Sequence, residues 1–69
     1  MDILNLNEKY VKSGDIIRIT PIDKVPNADR ILKVDYLTEN GVAYGATTTN
    51  DSYFMPYGWI KSFRIVKRK

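Results

Sequence analysis

The chain has 69 residues, a formal net charge of +3, and neither histidine nor cysteine. A chain of this length predicts a single domain, over residues 1–69, with a small core. The missing residue types exclude disulfides, thiolate metal sites and most catalytic bases and nucleophiles, so we expect a non-enzymatic binding module with no cofactor and no bound metal. No apolar run reaches the roughly 18 residues of a membrane span and no signal peptide is visible, so we expect a cytoplasmic protein without a membrane partner.

The first segment, residues 1–14, is predicted to precede the sheet as an arm or a loop. Asn5 with Glu8 three positions later is typical of a partial capping box, which favours a short helical turn. A segment this short does not form a stable helix by itself. The alternative is an extended arm that packs three side chains onto a sheet: Leu4, Leu6 and Tyr10.

The first predicted strand follows a turn signal. Residues 13–15, Ser-Gly-Asp, form that signal, and 16–20 is a β-branched run typical of a strand. Pro21 ends the strand because proline has no N–H to donate to a sheet. Residues 21–29 carry two prolines and an Asn-Ala-Asp sequence, which predicts a loop.

A β-hairpin is the clearest local prediction. Two strand-like runs, 30–38 and 42–49, flank the Asn-Gly pair at 40–41, which favours a two-residue type I′ turn because both residues accept positive φ values. A turn centred on this pair places Tyr36 opposite Gly45. The core face is then predicted to carry Leu32, Val34, Tyr36, Ala43, Gly45 and Thr47, and the other face Ile31, Lys33, Asp35, Leu37, Val42, Tyr44 and Ala46.

The last third of the chain predicts two more strands. Residues 50–51 are a turn candidate that returns the chain into a strand over 52–55, which completes a three-stranded meander. A Pro-Tyr-Gly break follows, 59–61 is predicted to form a single short 3₁₀ turn, and 62–67 alternates as a last strand. Residues 68–69 are predicted to fray as a basic tail.

Together these elements predict an all-β domain whose five short strands, over 15–67, bend into a closed or nearly closed barrel that hides its edges. The layout resembles the SH3-like small β-barrel. Residues 12–19 are similar to the turn and strand after the first long loop of SH3 domains, and 53–61 to their closing strand, proline, 3₁₀ turn and return strand. The resemblance covers about 15–61 and implies a small, strongly bent five-stranded barrel.

The aromatic residues with which SH3 domains bind polyproline have few counterparts here. The N-terminal segment lacks the aromatic-rich first strand, and 29–31 read Asp-Arg-Ile where those domains carry a tryptophan. A counterpart to the polyproline-groove aromatics exists only in Tyr57 or Trp59. The resemblance therefore implies the fold and not polyproline recognition.

Charge is distributed unevenly along the chain. Residues 1–52 sum to −2, whereas 53–69 hold five basic residues and no acid and sum to +5. Cations bind phosphates and exposed aromatic rings stack on nucleobases, so this end favours DNA or RNA as the partner. The alternative is a solvated basic tail beside core aromatics. The candidate nucleic-acid-binding residues are Lys61, Arg64, Lys67, Arg68, Tyr57 and Trp59.

The second functional hypothesis is a protein–protein module that regulates or inhibits a larger protein. It uses the hairpin over 37–44 and the segment over 53–59. Three side chains on the less apolar hairpin face would form a contact surface if they are exposed, whereas burial by curvature or by the N-terminal segment would place them in the core. They are Leu37, Val42 and Tyr44.

Overall fold

The computed structural model describes residues 5–45 and 51–69. Its five strands are β1 (Ile16–Pro21), β2 (Ile31–Leu37), β3 (Gly41–Gly45), β4 (Ser52–Pro56) and β5 (Ile60–Lys67). All neighbours are antiparallel in one sheet of order β4-β3-β2-β1-β5, so the prediction of a small all-β domain with a three-stranded meander is confirmed. None of the described residues belongs to a helix long and apolar enough to cross a membrane.

The sheet formed by the described strands is open rather than closed. β4 and β5 are its two edges, and the 3₁₀ turn Tyr57–Trp59 joins them. The predicted closed or nearly closed barrel is therefore not confirmed. The predicted 3₁₀ turn over 59–61 lies two residues too late, because Ile60 is already paired with Pro21 as the first residue of β5.

The core lies on the inner face of the sheet. In β1 the side chains alternate, so Ile17 and Ile19 are buried while Arg18 and Thr20 are exposed. Apolar residues from the other strands and the N-terminal segment complete the core: Leu6, Val11, Leu32, Val34, Leu37, Val42, Tyr44, Met55, Ile60 and Phe63.

The β2–β3 turn differs from the predicted type I′ turn. Leu37 pairs with Val42, which leaves a four-residue turn from Thr38 to Gly41. The Thr38 hydroxyl oxygen accepts hydrogen bonds from the backbone N–H groups of Asn40 and Gly41, both at 3.1 Å. Neither residue has a positive φ, so the feature on which the predicted turn depended is absent from this described turn.

A β-bulge at Asp35 changes which residues of β2 face the core. Val34 pairs with Tyr44 and Tyr36 with Ala43, so Asp35 has no partner of its own. The predicted pairing of Tyr36 with Gly45 is wrong, and Tyr36 is 62% exposed. The prediction of Leu32 and Val34 as core residues is confirmed.

The same shift buries the residues of the predicted protein-contact surface. Leu37, Val42 and Tyr44 all belong to the core, so the surface proposed on them is wrong and the burial alternative is right. The Tyr44 hydroxyl donates a 2.8 Å hydrogen bond to Asp29. Burial and this carboxylate raise the pKa of Tyr44, which therefore acts as a neutral structural group. The predictions for 46–49 lie outside the described residues.

In the described part of the N-terminal segment, the Asn5 carbonyl accepts the backbone N–H of Asn7 at 3.0 Å, and a turn built on Asn7 follows. The Asn7 side-chain oxygen accepts the backbone N–H of Lys9 at 2.9 Å, and its carbonyl accepts that of Val11 at 2.9 Å. Val11 is buried in the core together with Leu6. The predicted turn at 13–15 is confirmed, since Gly14 has a φ of 92°, which glycine adopts readily. Leu4 lies outside the described residues.

Candidate functional site

Four basic residues from three strands share the outer face of the sheet. Residues paired across antiparallel strands point to the same face. One row across the sheet contains Lys33 of β2, Ile16 of β1 and Lys67 of β5. The next row contains Ile31 of β2, Arg18 of β1 and Arg64 of β5. We call Arg18, Lys33, Arg64 and Lys67 the cationic cluster.

The described part of the chain supplies no ion-pair partner to the cationic cluster. Within residues 5–45 and 51–69, none of its four side chains forms an ion pair or a side-chain hydrogen bond. Asp35 at the bulge is the one acid that faces outward from β1, β2 and β5, which are described in full. Arg18 lies directly opposite Arg64, and like charges in such a pair destabilise a sheet. A bound anion would relieve that repulsion.

Two depressions on this face suit an anion. The first has a volume of about 260 Å³ and is lined by Arg18, Thr20, Ser62, Phe63 and Arg64. Its two guanidinium groups and two hydroxyl groups can donate hydrogen bonds to phosphate oxygens. The second has a volume of about 560 Å³ and is lined by Ser13, Gly14, Ile16, Lys33, Val34, Asp35, Lys67, Arg68 and Lys69.

Two aromatic rings occupy the adjoining row of the same face. Tyr36 of β2 pairs with Ala43 of β3, and Ala43 pairs with Phe54 of β4. Tyr36 is 62% and Phe54 49% exposed, while Ala43 between them is buried. We call Tyr36 and Phe54 the aromatic pair. It shares the outer face with Lys33, because their partners Ala43 and Gly45 are two residues apart on the regularly paired β3.

The predicted basic residues divide between two environments. Arg64 and Lys67 belong to the cationic cluster, and Lys61 is the exposed extra residue of a β5 bulge beside it. Arg68 instead contacts the N-terminal segment. Its guanidinium lies 5.1 Å from the centre of the Tyr10 ring, donates to the Tyr10 carbonyl at 3.2 Å, and lies 3.9 Å from the Asp15 carboxylate. The structure thus assigns Arg68 contacts within the fold.

The predicted stacking residues lie outside the strands that carry the cationic cluster. Tyr57 and Trp59 belong to the connection between β4 and β5. The Tyr57 hydroxyl donates to the Thr38 carbonyl at 2.7 Å, and burial, followed by the charge of Glu8, raises the pKa of this phenol. Trp59 is exposed, and its carbonyl accepts the N–H of Ile22 at 2.9 Å. The predicted six-residue cluster is therefore not brought together as a whole.

Four residues of this face were missing from the predicted site. The alternation of β1 marks Arg18 as an outward residue, and Lys33 is on the face predicted to point away from the core, so both carried a usable signal. Phe54 lies within a predicted contact segment but had no role assigned to its ring. Tyr36 carried no usable signal, because its direction depends on the bulge at Asp35.

A further cavity lies between the N-terminal segment and the β2–β3 turn. Its volume is about 640 Å³, and its lining includes the carboxylates of Glu8 and Glu39 with one ammonium group, that of Lys9. In the described parts of the chain, no three acidic side chains approach closely enough to hold a metal ion together. The two carboxylates in the lining would repel a phosphate, so this cavity does not suit one.

Comparison of the chain with protein-family models, with curated protein sequences and with solved structures finds no match. The proposed function therefore rests on the chemistry of the outer face.

Proposed function

We propose that this protein is a non-enzymatic module that binds nucleic acid through the outer face of β1, β2 and β5. The observation that carries the proposal is the cationic cluster, four exposed basic side chains in adjacent rows of the sheet that form no ion pair with any described residue. Phosphates of a nucleic acid backbone repeat at short intervals and supply matching charges. We also propose a cytoplasmic location, which a chain without cysteine permits.

The depression between Arg18 and Arg64 is the proposed primary phosphate site. Arginine offers forked N–H donors that match phosphate oxygens, and Thr20 with Ser62 adds hydroxyl donors at the same place. Lys33 and Lys67 are one row away, about 7 Å, and suit neighbouring phosphates of the same backbone.

We also propose that the fold is an SH3-like barrel that is open in the part described. β5 pairs with β1, and β4 leads to it through Pro56 and the 3₁₀ turn, an order of elements that resembles the end of SH3 domains. In this arrangement the cationic cluster lies on the outside of the barrel wall.

A salt-titrated binding assay tests the proposed function. Fluorescence anisotropy is measured with labelled DNA and RNA, single-stranded and duplex, between about 50 and 200 mM salt. Four phosphate contacts predict that log K falls with log salt with a slope of about −3 to −4. Arg18→Gln and Arg64→Gln are each expected to weaken binding and to reduce the slope by about one.

Lys24→Gln is the matched control. Lys24 is an exposed base in the loop between β1 and β2, so its removal changes the net charge equally and is expected to leave the slope unchanged. Lack of binding to every probe at low salt would overturn the proposal. Salt-independent capture of one defined protein, lost on Tyr36→Ala, would instead favour the protein–protein alternative.

A further inference from the structure

We infer that the ligand is a single-stranded nucleic acid whose bases stack on the aromatic pair while its phosphates contact the cationic cluster. This inference rests on the proposed function and specifies the form of nucleic acid. The observation behind it is the shared outer face, on which Tyr36 and Phe54 occupy the row next to that of Lys33 and Lys67.

The spacing of the face suits an extended strand. Neighbouring β-strands lie about 4.8 Å apart, so the backbones of Tyr36 on β2 and Phe54 on β4 are about 10 Å apart. Lys33 lies one row from Tyr36, and their partners Gly45 and Ala43 are about 7 Å apart along β3. Gly45, beside Lys33, has no side chain, and an added Cβ would contact nothing nearer than a carbonyl at 3.7 Å. Gly45 therefore leaves room on β3 between the rings and Lys33, while the exposed Asp35 of the bulge lies between Lys33 and Tyr36 along β2.

The two rings differ in their contacts, because the ring of Phe54 lies against Gly41 whereas that of Tyr36 projects from the sheet. The hydroxyl of Tyr36 has no hydrogen-bond partner among the described residues, and its side chain is 62% exposed. Tyr53 provides the contrast. It lies next to Phe54 on β4 but on the inner face, where its ring is stacked 5.6 Å from that of Tyr44. Stacking on Tyr44 accounts for the position of the Tyr53 ring, whereas no ring contact among the described residues accounts for that of Tyr36.

Exposed rings distinguish single strands from duplexes. Bases in a duplex are stacked on one another, so their faces are not free to contact a protein ring. Unpaired bases offer their faces, and each base stacked on an aromatic side chain strengthens binding appreciably. A protruding aromatic pair beside the cationic cluster therefore favours unpaired bases. A duplex would contact the cations alone.

The experiment measures anisotropy with a labelled oligothymidylate of about twelve nucleotides, and with a duplex of equal length. We expect the wild-type protein to bind the single strand more tightly. Tyr36→Ala and Phe54→Ala are each expected to weaken single-strand binding about five- to 150-fold, without changing the salt slope. Duplex binding is expected to stay unchanged, because the rings do not contact paired bases.

Three variants serve as controls. Tyr53→Ala removes an exposed ring from the inner face and is expected to leave binding unchanged. Tyr36→Phe and Phe54→Tyr keep the rings and are expected to retain wild-type affinity. Circular dichroism and thermal unfolding check that each variant is folded, and Phe54→Leu replaces Phe54→Ala if the alanine variant is not.

The outcomes separate this inference from the proposed function. If neither the single strand nor the duplex binds at low salt, the proposed function fails. If both bind equally and Tyr36→Ala and Phe54→Ala have no effect while Arg64→Gln does, nucleic-acid binding stands and the stacking inference is overturned. Selective loss of single-strand affinity in the two ring variants supports it.

Discussion

Asp15 connects the N-terminal segment to Lys69, the last residue of the sequence, through hydrogen bonds. Asp15 is 2% exposed, and its carboxylate accepts the backbone N–H groups of Lys12 and Lys69, both at 3.0 Å, while the Arg68 guanidinium lies 3.9 Å away. The two backbone hydrogen bonds, from Lys12 and then Lys69, outweigh the effect of burial and hold the pKa of Asp15 below its usual range. The charged form is thus favoured in the folded state.

Asp15→Asn is expected to lower the free energy of unfolding at pH 7 by about 2 kcal/mol, because the amide oxygen keeps one backbone N–H as a neutral acceptor while the amide NH₂ cannot accept the other. A lowered folded pKa gives stability that is present above the unfolded value of about 3.9 and is lost as pH falls through the folded value. The difference between variant and wild type should therefore shrink below about pH 4. Urea unfolding followed by circular dichroism at both pH values measures it.

Asp23→Asn is the control for that comparison, since Asp23 is an exposed acid of the β1–β2 loop and its replacement is expected to have little effect. An Asp15→Asn destabilisation of equal size at acidic and neutral pH would contradict the role of the charge.

At the scale of elements, the β2–β3 turn is positioned by the close approach of β4. A Cβ added to Gly41 would overlap the carbonyl oxygen of Met55 and lie 2.7 Å from the ring of Phe54. The glycine is therefore required for space beneath Phe54 and not for a positive φ. In the adjacent turn, the Thr38 hydroxyl oxygen accepts hydrogen bonds from the backbone N–H groups of Asn40 and Gly41. These bonds stabilise a four-residue turn in place of the predicted two-residue turn.

Gly41→Ala is expected to destabilise the protein by about 1–3 kcal/mol, because β4 has to move to admit the methyl group. Gly45→Ala is its matched control on the same strand, since the new methyl group would meet one carbonyl oxygen at 3.7 Å. That variant is expected to be neutral or stabilised by up to about 1 kcal/mol through the lower entropy of its unfolded chain. Thermal unfolding of both variants compares them, and equal effects would show that the space beneath Phe54 does not determine the choice of glycine.

Element type was predictable here, whereas register was not. The β-branched run of β1 and the two strand-like runs around 40–41 indicated their strands, because alternation and turn residues are local properties. The bulge at Asp35 depends on how β2 fits the turn and β3, which no local pattern encodes. One unpaired residue sends Tyr36 outward and Leu37 inward. The predicted contact surfaces around the hairpin were therefore reversed.

The positive charge of the candidate site was predictable from the sequence, but the full set of residues that form it was not. The basic C-terminal end indicated Arg64 and Lys67, which the structure places on the outer face. Sequence distance hid Arg18 and Lys33, since pairing of β1 with both β2 and β5 is needed to bring them beside that end. Arg68 was assigned to the same group by composition, although its contacts are with Tyr10 and Asp15.

At the scale of the whole molecule, the exposed residues Arg64 and Arg68 are expected to have opposite effects on the stability of the fold. Arg68 contacts a ring, a carbonyl and a carboxylate of the N-terminal segment, so its charge is used within the fold. Arg64 faces Arg18 directly and has no acidic partner within the described residues. Because the charge of Arg64 destabilises the fold and faces solvent, we expect this side chain to bind a ligand.

Arg64→Gln is therefore expected to raise the free energy of unfolding by about 0.5 kcal/mol at low salt while it weakens nucleic-acid binding. Arg68→Gln, which removes the same charge, is expected to lower it by about 1 kcal/mol through the loss of the cation–π contact and the ion pair. Added salt should reduce the gain of the Arg64 variant, because it screens the repulsion in the wild type. Urea unfolding at low and high salt measures both variants. A loss of stability in Arg64→Gln would mean that Arg64 supports the fold and that its missing partner is not evidence of a ligand.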